Sequence, residues 1–194
     1  MFLRKNEIIT FPNLLTSFRI VGAFAIWFTL PLSLPFFIVY TLCGVTDGFD
    51  GFLARKLGQT SDFGSRLDSV SDLLFYASML IRLFPILWKL LPKWIWYAVA
   101  SALLIRAMAY LTAFLKFRRF ASVHTYCNKL TGLLLFLLPY FLLTEFAVAF
   151  SALICVTALL SSCEELLMHL VSHEYDPDVK TVFALKKKEE PNRR

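Results

Sequence analysis

The sequence predicts an all-α fold: an integral membrane bundle of six transmembrane helices, with a short N-terminal interfacial helix and a polar C-terminal tail. Three observations carry this expectation. The 194 residues are 58% hydrophobic, include 20 Phe and have a mean hydropathy of +0.64, so there is too little polar material to coat a soluble globule. The apolar residues fall in runs of roughly bilayer-crossing length, punctuated by Pro, Gly and basic residues. The net charge of +6 sits mostly outside those runs, at Arg4 and Lys5, at Lys116, Arg118 and Arg119, and at Lys186 to Lys188 with Arg193 and Arg194. Basic ends of this kind favour anionic lipid surfaces, and with no soluble basic domain the chain is not expected to bind nucleic acid. Cys43, Cys127, Cys155 and Cys163 are scattered singly through apolar segments without CxxC spacing and read as packing residues.

Residues 1–10 are charged and partly apolar, which suits a helix lying on the membrane interface, and no small-residue cleavage pattern follows, so a retained first span is expected and not a signal peptide. Thr10 is placed to cap the first helix, with Pro12 at its start; the span runs from about Asn13 to about Leu30 and carries Arg19 inside it. Pro31 and Pro35 bracket a short connection. A second helix runs from near Pro35 to about Gly58, apolar in its first half and charged in its second, followed by a polar turn over 58–62. The third is expected from near Phe63 to Pro85, with a link over 86–91. Pro92 and Lys93 open a fourth, rich in Trp94, Trp96 and Tyr97 and ending at the basic cluster around Lys116. The fifth is expected from about Val123 to Leu138 with an interruption at Pro139, and the sixth from about Glu145 to Leu170.

Six spans put both termini on one side of the membrane. The excess of Lys and Arg at the termini and in the 2–3 and 4–5 links makes that side cytoplasmic, with Arg82, Lys89 and Lys93 as the main exceptions opposite. One membrane domain over 1–171 and a polar tail over 172–194 follow. The organising feature is the stretch from Asp47 to Asp72, where four aspartates interrupt an apolar chain. Asp47 and Asp50 are spaced i,i+3 and Asp68 and Asp72 i,i+4, so each pair shares one helix face. Burying four carboxylates without partners is costly, and hard divalent cations are the usual way to hold several anions together in low dielectric. By helix rise, Arg19 and Lys129 fall at a similar depth, so a shallow polar cavity opening to the cytoplasm is expected.

Written as a pattern, the stretch is Asp47-x2-Asp50-Gly51-x2-Ala54-Arg55-x8-Gly64-x3-Asp68-x3-Asp72. This resembles the signature of the CDP-alcohol phosphotransferases, membrane enzymes that make phospholipids from CDP-linked donors. Pro12 to Thr16 and Arg19 also resemble the start of the phosphatidylglycerophosphate synthase branch. The branch is left open by Ser69, since that branch typically has proline after the third aspartate, whereas serine there also occurs in serine- and inositol-type enzymes.

The resemblance implies phosphatidyl transfer from CDP-diacylglycerol to a small hydroxyl acceptor with release of CMP, two divalent ions (Mg2+ or Mn2+), a homodimer and an inner-membrane location with the active site facing the cytoplasm. Carried over by position, Asp47, Asp50, Asp68 and Asp72 are metal ligands and Asp72 is also the candidate base. Gly51, Ala54 and Gly64 leave room for the nucleotide, Arg55 pairs with the diphosphate, and Thr46 assists the donor or simply bonds back to its own helix. Arg19, Arg106 and Lys129, cations in apolar helices, are candidates for the phosphate of an acceptor, glycerol 3-phosphate first and an inositol phosphate second, with serine or another alcohol also open; otherwise they balance the carboxylates or snorkel. His124, Tyr126, Asn128 and Thr131 are candidates for a polyol pocket. The rival from another class is a small cation transporter or channel, which calls for charge spread through the bilayer depth and not gathered at one side.

Overall fold

The computed structural model describes residues 10–56, 62–118 and 125–172. They form six α-helices: α1 (Phe11–Ala25), α2 (Leu34–Lys56), α3 (Asp62–Leu90), α4 (Lys93–Phe117), α5 (Tyr126–Phe141) and α6 (Ala147–Val171), with a 3-10 turn at Ile26–Phe28 after α1. The expected interfacial helix, the 58–61 part of the expected turn, His124 and the tail from 173 onward lie outside the described residues. The chain divides into two compact units, residues 1–89 and 90–194.

In the first unit α1 begins as its sequence requires: Thr10 Oγ1 accepts the Asn13 N–H at 3.4 Å, and Pro12 sits in the first turn, where a missing N–H costs nothing. Asn13, Thr16, Arg19 and Ala23 of α1 are buried, and Ile26 at the start of the 3-10 turn continues the same steps of three and four, which make one helical face. That face meets α2, which runs back antiparallel. Gly22 lets the two helices approach closely, because a Cβ built there overlaps Cys43 Sγ. The third helix runs parallel to α1 and joins it through side chains: Trp27 Nε1 donates to Ser78 Oγ at 3.1 Å, and Arg82 donates to the Thr29 carbonyl, tying down the chain where α1 ends. Phe36, Tyr40 and Phe75 stack in the core between α2 and α3.

In the second unit α4 and α6 pack most extensively. The buried residues of α4 are Ile95, Ala102, Ala109 and Ala113, at steps of seven, seven and four, and the contacts to α6 run from Ile95 beside Cys155 to Arg106 beside Ser161 and Ser162. Small side chains on both faces let the helices approach closely, which in a membrane replaces a hydrophobic driving force that lipid cannot provide. The two helices are parallel: Cys155 Sγ approaches the Ile95 carbonyl at 3.9 Å, and at the other end Lys116 Nζ donates to the His169 and Leu170 carbonyls at 3.0 and 2.8 Å. Lys116 thereby satisfies orphan carbonyls at the α6 C-terminus and opposes its dipole. The fifth helix is antiparallel to α6, as the stacked Phe141 and Phe150 rings at 4.0 Å show. Thr125 caps it by accepting the Asn128 N–H at 3.1 Å.

Two helix ends correct the sequence reading. Pro85 does not end α3, which continues to Leu90, and Pro139 lies inside α5, which continues to Phe141. A proline removes one backbone donor, but breaking a helix in apolar surroundings strands several donors and acceptors at once, so continuation costs less. Three helical segments, Arg66–Leu90, Lys93–Phe117 and Ala147–Val171, are each 25 residues and apolar enough to cross a membrane, and Asn13–Phe28 and Leu34–Asp47 are shorter apolar helices. The protein is a helical membrane protein.

The Gly22 contact generates a test. Gly22→Ala should destabilise the purified protein by about 1–2 kcal/mol through overpacking. Combining it with Cys43→Ala should recover most of that loss in thermal unfolding, and additive losses would show that the overlap does not govern the α1–α2 contact.

Candidate functional site

Three of the four aspartates converge in the first unit. Asp47 comes from the later turns of α2, and Asp68 and Asp72 come from consecutive turns of α3. One carboxylate oxygen from each lies within 4.8 Å of the others. Facing them is Arg19, whose side chain is 0% exposed, while those of Asp47, Asp68 and Asp72 are 37%, 45% and 34% exposed. The cation is thus deep and the anions are half-open. Arg19 Nη1 lies 2.9 Å from Asp47 Oδ1 and 3.2 Å from Asp68 Oδ1, and it also donates to Asp72 Oδ1. Ser71, fully buried, accepts from the same nitrogen at 3.2 Å while its own hydroxyl donates to the Asp68 carbonyl at 2.8 Å.

The cluster carries three negative charges against one positive charge, all its ligand atoms are oxygens, and it opens on one side. That donor set fits a hard divalent cation such as Mg2+ or Mn2+, since the two charges left over by Arg19 match one such ion. The sequence reading left Arg19 open between an acceptor's phosphate and the carboxylates, and the structure sets it against the carboxylates. The partner is Arg19, 28 residues before Asp47, brought in because α1 and α2 form an antiparallel hairpin that sets position 19 beside position 47.

The other candidates fall as follows. Asp50, Gly51, Ala54 and Arg55 belong to the last turns of α2, and their side chains lie outside the described residues. Gly64 is in the first turn of α3. The Thr46 hydroxyl donates to the Cys43 carbonyl at 2.9 Å, the back-bonding arrangement. Lys129 is exposed near the start of α5.

Arg106 organises a second polar cluster, within the second unit. Its Nη1 donates to Asn128 Oδ1 at 3.1 Å, Nη2 to Ser161 Oγ at 3.0 Å and Nε to Ser162 Oγ at 3.3 Å; Glu165 Oε2 is 3.8 Å from Nη2, and His169 Nε2 is 3.9 Å from Glu165 Oε1. Ser161, Ser162, Glu165 and His169 are all buried. None of these four was singled out from sequence, yet a signal was present: Ser161, Glu165 and His169 recur every four residues in an otherwise apolar helix, a polar stripe that must face protein.

A helical membrane protein with carboxylates gathered from two helices is a class with several chemistries, and comparison with known proteins narrows it. The chain belongs to the CDP-alcohol phosphatidyltransferase family, whose family model matches residues 9–162. Similar proteins named CDP-diacylglycerol–glycerol-3-phosphate 3-phosphatidyltransferase include one from Wigglesworthia glossinidia brevipalpis, 43% identical over 90 residues, covering 42% of this chain and 50% of that protein. Those from Haemophilus influenzae and Escherichia coli K12 are 43% and 39% identical over 75 residues, each match covering 36% of this chain and 40% and 41% of theirs. The chain thus spans about half the length, or less, of these curated relatives. No solved structure matches it.

The Arg106 cluster predicts a coupling. Arg106→Met removes the arginine cation beside the buried Glu165 carboxylate and should cost about 3 kcal/mol. The double variant Arg106→Met with Glu165→Leu should recover at least half of that in thermal unfolding of the purified protein. Additive losses would mean that the pair is not coupled.

Proposed function

We propose that this protein transfers a phosphatidyl group from CDP-diacylglycerol to a small hydroxyl acceptor, glycerol 3-phosphate in the first instance, releasing CMP. The observation that carries this reading is the convergence of Asp47, Asp68 and Asp72, three positions of the family signature, from two helices onto one point. The relatives' shared name supports glycerol 3-phosphate over an inositol phosphate or serine.

In this reading Asp47, Asp50, Asp68 and Asp72 hold two divalent ions, Mg2+ or Mn2+. Bound there, the ions supply neutralisation of the donor's diphosphate. The chain's own groups do the rest. Thr46, Gly51, Ala54 and Gly64 line the nucleotide, the glycines and alanine leaving it room, and Arg55 pairs with the diphosphate. The acceptor hydroxyl oxygen forms a bond to the phosphorus that bears diacylglycerol, the bridging P–O bond to CMP breaks, and Asp72 takes the hydroxyl proton. Arg106 and Lys129 are assigned to the acceptor's phosphate, and Arg19, by its contacts, to the carboxylates.

The same reading takes residues 1–171 as one membrane domain, a span that the family match nearly fills, followed by the polar tail. It also takes six spans with both termini and the active site cytoplasmic, in an inner membrane, as a homodimer surrounded by lipid; the alternating direction of the helices within each unit supports the spans.

Purified protein with CDP-diacylglycerol and Mg2+ or Mn2+ should release CMP only when the acceptor is supplied, fastest with glycerol 3-phosphate across a panel that includes serine, inositol and inositol phosphate. Silence across the panel, or cation flux through liposomes without CMP release, would overturn the assignment in favour of a transporter. Asp72→Asn should lower turnover by about 100-fold or more while leaving CDP-diacylglycerol binding within a few-fold of the parent. Unchanged turnover would remove Asp72 from proton transfer.

A further inference from the structure

Three side chains fix the plane of the Arg106 guanidinium. Nε donates to Ser162 Oγ at 3.3 Å and Nη2 to Ser161 Oγ at 3.0 Å, so its side-on fork is engaged by two consecutive residues of α6. Nη1 donates to Asn128 Oδ1 at 3.1 Å, in the first turn of α5. A guanidinium carries five N–H groups in one rigid plane, so these bonds to described residues set its orientation and leave N–H groups on Nη1 and Nη2 to offer. We propose that Ser161 and Ser162 are positioning residues for the acceptor: by holding Arg106 side-on they commit its Nη1–Nη2 end to the acceptor's phosphate, and so favour a phosphate monoester. The inference deepens, and rests on, the reading above that Arg106 binds that phosphate.

The chemistry of the holding groups supports this. A carboxylate on the side-on fork would orient the arginine equally well but would cancel its charge, whereas a serine hydroxyl accepts the bond and is neutral. Glu165 stands 3.8 Å from Nη2, beyond hydrogen-bond length, so it offsets the charge of a cation in an apolar helix without occupying a donor. Exposure runs the same way. The Arg106 side chain is 25% exposed and that of Glu165 2%, so an arriving anion meets the arginine and not the acid. Ser161 and Ser162 are fully buried, so their influence on an acceptor passes through Arg106. The Asn128 bond keeps the guanidinium beside the N-terminal turn of α5, where the helix dipole also favours an anion.

The test uses the full chain in detergent with CDP-diacylglycerol and glycerol 3-phosphate, each varied in turn. The double variant Ser161→Ala with Ser162→Ala should raise KM for glycerol 3-phosphate about tenfold, with kcat within about threefold of the parent and KM for CDP-diacylglycerol within about twofold. Either single alanine should give part of that rise, about threefold. A serine pair that only packs α6 against α4 would lower melting temperature and kcat together with the acceptor KM unchanged, and that result overturns the proposal. Arg106→Lys keeps the charge and loses the fork, so it should also raise the acceptor KM. Adding the two alanines to Arg106→Lys should then change KM by less than about twofold, because no guanidinium is left to orient. Full additivity of the two effects overturns the proposal. Glycerol 3-phosphate binding, read from the rise in melting temperature with concentration, should show the same order of variants without turnover. An acceptor KM unmoved by Arg106→Lys and by Arg106→Ala is a different failure: it places the phosphate elsewhere and removes the reading on which the proposal depends.

Discussion

A charged guanidinium with no solvent exposure is held inside the first unit with three carboxylates and a serine hydroxyl around it. An arginine in an apolar helix must find anions or water, and carboxylates gathered in one place must find cations. Each requirement answers the other. It also fixes how the three helices assemble: α1 must turn its Asn13–Thr16–Arg19 face inward, α2 must run back so that Asp47 reaches position 19, and α3 must lie parallel to α1 so that Asp68 and Asp72 arrive on consecutive turns. The Gly22–Cys43 approach and the Phe36–Tyr40–Phe75 stack are the apolar conditions that allow this charged contact to form.

The second unit solves the same problem with different balance. Arg106 faces one carboxylate, Glu165, and three neutral acceptors, so its charge is spread through hydrogen bonds to Ser161, Ser162 and Asn128. In the first cluster anions outnumber the cation, which leaves negative charge for a metal. In the second the charges nearly cancel, and the group is shaped to present or hold an arginine.

Much of the fold was legible in the sequence because membrane helices obey few rules. Thr10 and Pro12 mark the start of α1, and apolar length and punctuation located all six helices to within a few residues. The failures have one cause. Proline at 85 and 139 was read as a terminator, as it is in water, where freed backbone groups are hydrated; within an apolar environment the helix has no such alternative and passes through. The partners of the charged residues were less legible. Arg19 was visible as a cation at the right depth, but Ser71, Ser161, Ser162, Glu165 and His169 are common residue types whose importance lies in what stands opposite them.

By itself the sequence determined the class of protein, the six helices and the aspartate signature, because hydropathy and i,i+3 or i,i+4 spacing are properties of a single chain segment. It also placed Asp47, Asp68 and Asp72 at one depth, since helix rise converts residue number into height. Only the tertiary structure decided which cation meets them and how. Azimuth around a helix axis, and the choice of neighbouring helix, are set by packing contacts between distant segments. Those contacts bring Arg19 to the carboxylates, and Arg106 to Glu165 and its serines.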